Sequence, residues 1–160
     1  YMNASYDGPG YALWSTCNRR TWCNNEFKNA LPTWLSSLIK PVTKLFNRYC
    51  IYNYSNCNFY RTHDTTTDSV FLLSEYEMFG TTYFTASYWG TLEPDGTQYE
   101  YMKTQSNRIK TRNGSNEFWF SRTGGVGGSG YSGFRGVSSD GSYTGISASI
   151  SFGVAPGFCL

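Results

Sequence analysis

Residues 117–137, EFWFSRTGGVGGSGYSGFRGV, decide the fold that the chain is expected to adopt. Short apolar runs at residues 117–122 and 133–137 are typical of strands, and glycine and serine fill the segment between them. A third strand is predicted at residues 154–160, VAPGFCL. The C-terminal part of the chain is therefore predicted to form strands joined by long loops.

The N-terminal part has helical rather than alternating apolar spacing. Residues 18–44 predict two short helices, the second of which begins at Pro32 and is ended or kinked by Pro41. The apolar residues of both helices are expected in the core: Trp22, Phe27, Leu31, Trp34, Leu35, Leu38, Ile39 and Val42. A buried strand at residues 70–73 is expected to lead into a polar turn. Helices followed by strands indicate an α+β domain.

Composition limits the class of protein. The 160 residues suit a single domain covering 1–160, and 39% hydrophobic with 19% aromatic residues are enough for a core. A net charge of +2 gives no basic patch for a nucleic acid, and no apolar run is long enough for membrane insertion. Because the chain starts at Tyr1, upstream sequence is expected to be missing.

Five cysteines and a single histidine, without a CxxC pair, make a zinc site improbable. The cysteines are Cys17, Cys23, Cys50, Cys57 and Cys159. Free thiols are the favoured interpretation, and one or two disulfides, such as Cys50 with Cys57, are the alternative.

The last forty residues differ in composition from the rest. Residues 120–160 contain no Lys, Glu, Gln, Met or Trp, and glycine and serine take their place. Large apolar residues nevertheless recur through this segment: Tyr131, Phe134, Val137, Tyr143, Ile146, Ile150 and Phe152. A flexible linker has no such residues, so an ordered, loop-rich surface is expected.

Three separated stretches resemble one family. They are CNRRTWCNNEFKNALP with LIKPVTKL, then DSVFLLSEYEMFG, and then FWFSRT running through FRGVSSDG to GVAPGFCL. Together they resemble an uncharacterised C-type-lectin-like domain at the C-termini of phage and gut-bacterial proteins. The resemblance implies an α+β, C-type-lectin-like fold: two helices, then a loop-rich antiparallel sheet in which the N- and C-terminal strands pair.

Several members of this family look like variable proteins of diversity-generating retroelements, of the phage major tropism determinant type. In these systems, template adenines are copied with errors, so an AAY codon becomes NNY. An NNY codon encodes every residue except the five types that are absent after Phe120. The resemblance therefore implies a hypervariable segment at about residues 118–152.

The resemblance also assigns roles to residues of this segment. The implied scaffold positions are Trp119, Arg122, Phe134, Val137, Asp140, Gly141, Ala148, Gly153, Val154, Pro156 and Phe158. The implied ligand-binding surface comprises Thr123, Val126, Tyr131, Arg135, Ser139, Ser142, Tyr143, Thr144, Gly145, Ile146, Ser147, Ser149, Ile150 and Phe152. Aromatic residues and arginine anchor most protein interfaces, which favours Tyr131, Arg135, Tyr143, Ile146 and Phe152 as anchors.

Motifs that would indicate catalysis or cofactors have simpler interpretations. Residues 125–130 match G-x-G-x-x-G, but no helix follows to bind a pyrophosphate. His63 and Asp64 are expected in a surface turn, and Glu75 with Glu77 are expected to be exposed rather than a glycosidase pair. Residues 93–95 resemble the calcium motif of sugar-binding lectins, without its Trp-Asn-Asp partner. No catalytic residue, metal or cofactor is predicted.

The expected function is that of a non-enzymatic display domain. Its partner would be a cell-surface protein or glycan, as in host receptor recognition, and its location a phage tail in the virion or a bacterial cell surface. A homo-oligomer such as a trimer, or a larger tail protein, would add avidity. The alternatives are an enzyme of the formylglycine-generating fold, and a constitutive structural domain of a tail or cell-wall protein.

Overall fold

A computed structural model describes residues 2, 13–47, 63–82, 94–126 and 132–160 of the chain. Within these ranges the protein is α+β, with short helices and mostly antiparallel strands, which confirms the predicted class. The helices are α1 (Asn18–Trp22), α2 (Lys28–Ala30), α3 (Thr33–Ser36), α4 (Glu75–Phe79) and α5 (Gln105–Arg108). Single 3₁₀ turns lie at Trp14–Thr16 and Glu100–Lys103.

The first predicted helix is confirmed. α1 continues through a π-helical turn, Cys23–Phe27, into α2, and the Cys17 thiol caps its N-terminus by accepting a hydrogen bond from the Arg20 amide. The helical segment ends at Leu31, whose backbone is extended, as expected for the residue before a proline.

The second predicted helix is much shorter than expected. α3 is one turn long, and Val42 begins a strand instead of extending the helix. Lys40 pairs with Cys159 in an isolated β-bridge, so the chain is already extended before Pro41. Trp34 is 67% exposed and Leu38 52% exposed, so the prediction that they belong to the core is wrong: one surface turn cannot bury both.

A four-stranded sheet forms the C-terminal half. β6 (Trp119–Val126), β7 (Ser132–Val137) and β8 (Tyr143–Ser147) are antiparallel neighbours, and β9 (Gly153–Val154) lies parallel to β6 on its other side. Both strands predicted at residues 117–137 are confirmed. The register of β6 and β7 shifts between Phe120 and Gly124, so β6 contains an irregularity in its middle.

The described ranges also contain three two-stranded sheets. They are β1 (Val42–Asn47) with β2 (His63–Asp68), β3 (Phe71–Leu72) with β10 (Pro156–Gly157), and β4 (Lys110–Arg112) with β5 (Ser115–Glu117). The strand predicted at residues 154–160 is therefore divided among β9, β10 and the bridge at Cys159. His63 and Asp64 lie in β2, so the predicted surface turn is wrong.

The predicted pairing of the N- and C-terminal strands falls mostly outside the described residues, because residues 1 and 3–12 are not among them. Met2, which is described, is fully buried, and its amide donates to the Ala148 carbonyl over 3.1 Å.

The buried strand predicted at residues 70–73 is confirmed as β3, with Val70 buried beside it. The turn predicted after it is wrong, because α4 follows. Ser74 and Glu77 form a complete capping box at its start, and Gly80, at φ +68°, ends it. Reciprocal capping satisfies two amides that would otherwise lack partners, which allows so short a helix to be stable in the interior.

Within the described residues, the core contains two hydrophobic clusters, to which alternate residues of β6 contribute. The larger contains Phe120, Phe134 and Ile146 together with Trp14 and Leu72. The smaller contains Met78, Met102, Trp119 and Val137. Alternate residues of β6 and β7 thus point to different clusters, and each large side chain fully buried contributes about 1.5–3 kcal/mol.

Candidate functional site

The side chain of Arg122, in β6, is fully buried. Its Nε donates to the Leu45 carbonyl at 2.9 Å, Nη1 to the Leu72 carbonyl at 2.8 Å, and Nη2 to the Asp95 carbonyl at 3.3 Å. Nη1 also pairs with Glu77 Oε2 at 2.5 Å. One guanidinium therefore joins β1, β3, α4 and the loop at residues 94–99 to β6.

Glu77 is 4% exposed and binds two cations. Besides Arg122, Lys44 Nζ lies 3.0 Å from its Oε1, and Oε2 accepts from the Ser74 amide. Burial acts to raise the pKa of Glu77, but the hydrogen bond and charge of Arg122 hold it below its usual value. The carboxylate is therefore ionised at neutral pH and balances the buried guanidinium.

The same α-helical turn places Glu75 in the interior, with no exposed surface. Its amide donates to Thr123 Oγ1 at 2.8 Å, which ties α4 to β6 a second time. The prediction that Glu75 and Glu77 are ordinary exposed glutamates is wrong. The capping signature, Ser74 followed three residues later by Glu77, is the local signal that would have predicted both the helix and the inward direction of Glu77.

A stack of cations and aromatic rings connects the helices with β7 and β8. The Arg108 guanidinium carbon lies 4.8 Å from the Phe79 ring centroid, and the Phe79 ring meets Tyr143 edge-on at 6.2 Å. The Arg135 guanidinium lies 5.5 Å from the Tyr143 centroid. Burial raises the pKa of Tyr143 against the opposing charge of Arg135, so the phenol stays neutral at physiological pH.

The turn between β7 and β8 is held by Asp140. Its carboxylate accepts from the Ser138 hydroxyl and, at 2.9 Å, from the Ser142 amide, and these hydrogen bonds lower the pKa of Asp140 to about 2. Gly141 adopts φ +84°. α5 fastens the turn from outside, since Arg108 Nε donates to the Gly141 carbonyl at 2.8 Å and Gln105 Nε2 to the Asp140 carbonyl at 3.0 Å.

Three residues of the predicted ligand-binding surface lie in the interior. Thr123 is 0% exposed, Ile146 5% and Arg135 8%, so the prediction that they face solvent is wrong. Ile146 belongs to the larger core cluster, and Thr123 bonds to the amide of Glu75. The register shift in β6 and the sheet pairing determine these directions, and neither can be deduced from local sequence.

The other residues of the predicted ligand-binding surface are more accessible to solvent. Gly145 and Ile150 are exposed, the latter by 46%, and the rest are partly buried: Ser139, Ser142, Tyr143, Thr144, Ser147, Ser149 and Phe152. These nine residues form a strip along β8, the turn before it and the segment after it, and are called the β8 surface below. Val126 is the last residue of β6, and its side chain is not among the described parts of the structure. Tyr131 lies outside the described residues.

The implied scaffold positions are divided differently. Trp119, Arg122, Phe134, Val137, Gly141 and Ala148 are buried. Asp140 has an exposed side chain and holds the turn by hydrogen bonds, while Gly153 is exposed and Val154, Pro156 and Phe158 are partly buried.

The described cysteines are free thiols. Cys17 and Cys23 are buried, and burial raises the pKa of each to about 12, whereas Cys159 is exposed. Cys50 and Cys57, the pair considered for a disulfide, lie outside the described residues, as do residues 127–130 of the glycine motif and Glu93.

Metal-binding clusters and membrane-spanning helices are both absent from the described ranges. There, no three His, Cys, Asp or Glu side chains are grouped to hold a metal ion. In the same ranges, none of the helices has the length and apolar character needed to cross a membrane.

Comparison with known proteins gives one match. No curated protein and no solved structure matches the chain. A family model, described as a domain of unknown function (DUF6273), matches residues 4–160. The chain therefore belongs to the DUF6273 family.

Proposed function

We propose that this chain is a non-enzymatic, C-type-lectin-like binding domain that contacts a cell-surface protein or glycan through the β8 surface. The observation that carries the proposal is the separation of roles along β8. Ile146 points into the core, whereas Tyr143, Thr144, Gly145 and Ser147 are partly or fully accessible. A strand fixed by one buried residue can carry different side chains on its accessible positions without losing its core.

The chemistry of the β8 surface supports recognition rather than catalysis. Serine, threonine and glycine dominate it, with Tyr143, Ile150 and Phe152 as the large side chains. The same vocabulary is used by antibody paratopes, where tyrosine supplies contact area with few rotors and serine and glycine adapt around it. Phe152 is held by Phe118, with ring centroids 5.2 Å apart, and Tyr143 by Phe79 and Arg135.

Rigidity beneath the surface also favours binding. Asp140, α5 and the Arg108–Phe79–Tyr143–Arg135 stack hold the start of β8 through polar bonds and ring contacts. A surface that is already ordered loses less conformational entropy when a partner binds. Weak single-site contacts would gain affinity from multivalent display on a phage tail or a bacterial surface, for instance as a trimer.

An enzyme of the formylglycine-generating fold is the less favoured alternative. Thiol chemistry requires a thiolate, and burial raises the pKa of Cys17 and Cys23 to about 12, which makes them poor nucleophiles. Cys159 is exposed, and its backbone pairs with Lys40 in a β-bridge.

We further propose that the β8 surface is diversified by a retroelement and that Thr123, Arg135 and Ile146 vary less than their neighbours. Deep sequencing of the coding locus in a natural population tests this. The expected result is substitution concentrated at β8-surface codons, with a nearby reverse transcriptase gene and a near-copy of the segment that differs at adenines. Substitutions scattered evenly over Trp119, Phe134 and the β8 surface would overturn the diversification.

Binding itself is tested separately on whole cells. A multimerised form of the chain is applied to a panel of bacterial strains, and bound protein is measured by flow cytometry. We expect binding to a subset of strains that is lost when Tyr143 and Phe152 are both changed to serine. As a matched control, Tyr101→Ser removes an exposed tyrosine outside the β8 surface. Equal loss from both variants would contradict the assigned surface.

A further inference from the structure

Two Asx-Gly turns of this protein differ in how tightly they are held. Asp140–Gly141 lies between β7 and β8, and Asn113–Gly114 lies between β4 and β5. In the first, the Asp140 carboxylate accepts hydrogen bonds from Ser138 and Ser142, and Gly141 packs so closely on the Gln105 carbonyl that a Cβ would collide with it. This turn leaves its side chain no freedom to react with the backbone.

The Asn113–Gly114 turn has none of these restraints. Both residues are exposed, and a Cβ added to Gly114 would meet no atom within 4 Å. Asn113 adopts φ 52° and is the one residue other than glycine with a positive φ in the described ranges. Its side-chain amide makes no hydrogen bond within the described part of the chain. The chain contains no other Asn-Gly pair.

The hairpin that carries this turn is weakly supported. Three residue pairs join β4 to β5: Lys110 with Glu117, Thr111 with Asn116, and Arg112 with Ser115. They form a separate two-stranded sheet, and four of the six residues are exposed. A two-stranded hairpin is marginal by itself, so it opens at much lower cost than the core.

We propose that Asn113 is a site of spontaneous deamidation, reached by opening of the β4–β5 hairpin. The Gly114 backbone nitrogen, after losing its proton, attacks Asn113 Cγ. The new C–N bond closes a five-membered imide, and the bond to the side-chain nitrogen breaks as ammonia leaves. Water then adds to either imide carbonyl and opens the ring, which leaves aspartate or isoaspartate at position 113.

Glycine at position 114 makes this attack easy, because no side chain shields the nitrogen and the backbone turns freely. Ring closure requires rotation about the Cα–C and Cα–Cβ bonds of Asn113, which the paired strands β4 and β5 restrict, so we expect the folded chain to react more slowly than the unfolded one. The product gains one carboxylate, which lowers the net charge from +2 to +1. Isoaspartate also adds an atom to the main chain and cannot fit a two-residue turn.

The test is incubation of the 160-residue chain at mildly alkaline pH, followed by ion exchange and peptide mapping. Cleavage after Arg112 and Arg122 releases one peptide that contains both Asn113 and Asn116, so Asn116 serves as an internal control. We expect progressive conversion of Asn113 with isoaspartate as the main product, while Asn116 keeps its amide. The folded chain should move on ion exchange by one charge.

Two variants of Asn113 and a comparison of the folded with the unfolded chain test the proposal further. Asn113→Gly keeps a glycine-compatible turn and should abolish the charge change, whereas Asn113→Asp supplies the product standard. The chain unfolded in urea should convert Asn113 several-fold faster than the folded chain. The proposal is overturned if the folded chain keeps the Asn113 amide while the unfolded chain loses it, or if Asn116 converts equally fast.

Discussion

The four-stranded sheet has an interior region around Arg122 and an accessible region along β8, and the two use polar residues in opposite ways. Around Arg122 each donor is matched to a carbonyl or carboxylate, and Glu77 bonds to Arg122, Lys44 and Ser74. Along β8 the hydroxyls bond to near neighbours in the sequence, as Ser147 does with Ser149 at 3.1 Å and Ser142 with Ser138 at 2.8 Å. The comparison shows that a polar side chain does not by itself indicate a recognition surface. The hydrogen bonds and ion pairs that the side chain makes must also be known.

The largest effect is expected from breaking the interior network. Arg122→Met removes the cation and leaves Glu77 with Lys44 alone, while three carbonyls lose their donor. Breaking one partner of a buried ion pair typically costs ~3–5 kcal/mol in unfolding free energy. Urea denaturation of the variant measures this, with the exposed Arg112→Met as the matched control, which is expected to change stability by less than about 0.5 kcal/mol.

Adding Glu77→Gln to Arg122→Met sharpens the result, since the second change removes the buried charge that the first leaves behind. Part of the lost stability should return. If the double variant loses the sum of the two single effects, Arg122 and Glu77 are not coupled and the interior network is misassigned.

A second comparison uses the same residue type at a buried position of β8, Ile146, and at an exposed position in the segment after it, Ile150. Ile146→Ala creates a cavity beside Phe120 and Phe134 and should cost ~2–5 kcal/mol, whereas Ile150→Ala at the accessible position should cost under about 0.5 kcal/mol. Urea midpoints of both variants check this. Similar losses at the two positions would show that the β8 surface is part of the core.

Ile146 also shows which features of the fold can be predicted from the sequence and which cannot. The apolar runs at residues 117–122 and 133–137 predict their strands because alternation and turn residues are local signals. Whether Ile146, Thr123 or Arg135 faces inward depends on strand pairing, and for Thr123 also on the irregularity between Phe120 and Gly124. No local feature of the sequence predicts these directions, and the resemblance implies that all three residues belong to the binding surface.

The errors near α3 and α4 have different causes. Trp34 and Leu38 have helical spacing, but α3 ends at Ser36, the chain is extended by the Lys40–Cys159 bridge, and both side chains lie on the surface. That contact joins residues far apart in the chain and could not be predicted. α4, by contrast, is indicated locally by its capping box of Ser74 and Glu77. The two glutamates nevertheless favour the prediction of an exposed turn, because charged residues are ordinarily exposed.

A smaller effect is expected from the buried thiols at alkaline pH. Burial raises the pKa of Cys17 and Cys23 in the folded chain to about 12, against an ordinary value of 9.0. The stability that depends on neutral thiols is complete below pH 9 and is lost as the pH rises toward 12, because only the unfolded chain ionises there. Cys23→Ala should therefore show a shallower loss of unfolding free energy between pH 8 and pH 10 than the original chain.

Cys159→Ala is the matched control for this measurement, because Cys159 is exposed. Its alkaline slope should equal that of the original chain, because the change leaves both buried thiols in place. Equal slopes for Cys23→Ala and Cys159→Ala would contradict the buried-thiol explanation.

The smallest effects are expected on the β8 surface, and there a near-zero result carries the argument. Thr144→Tyr and Ser149→Arg each place a large side chain at a partly accessible position, where substitutions usually change stability by less than about 0.5 kcal/mol. Thermal unfolding of both variants checks this. Thr123→Tyr is the contrasting control, because Thr123 has no exposed surface and its hydroxyl bonds to the Glu75 amide. If all three variants unfold at the same temperature, tolerance to substitution does not differ between the buried position 123 and the β8 surface. The proposal that Thr123 varies less than its neighbours would then lose its physical basis.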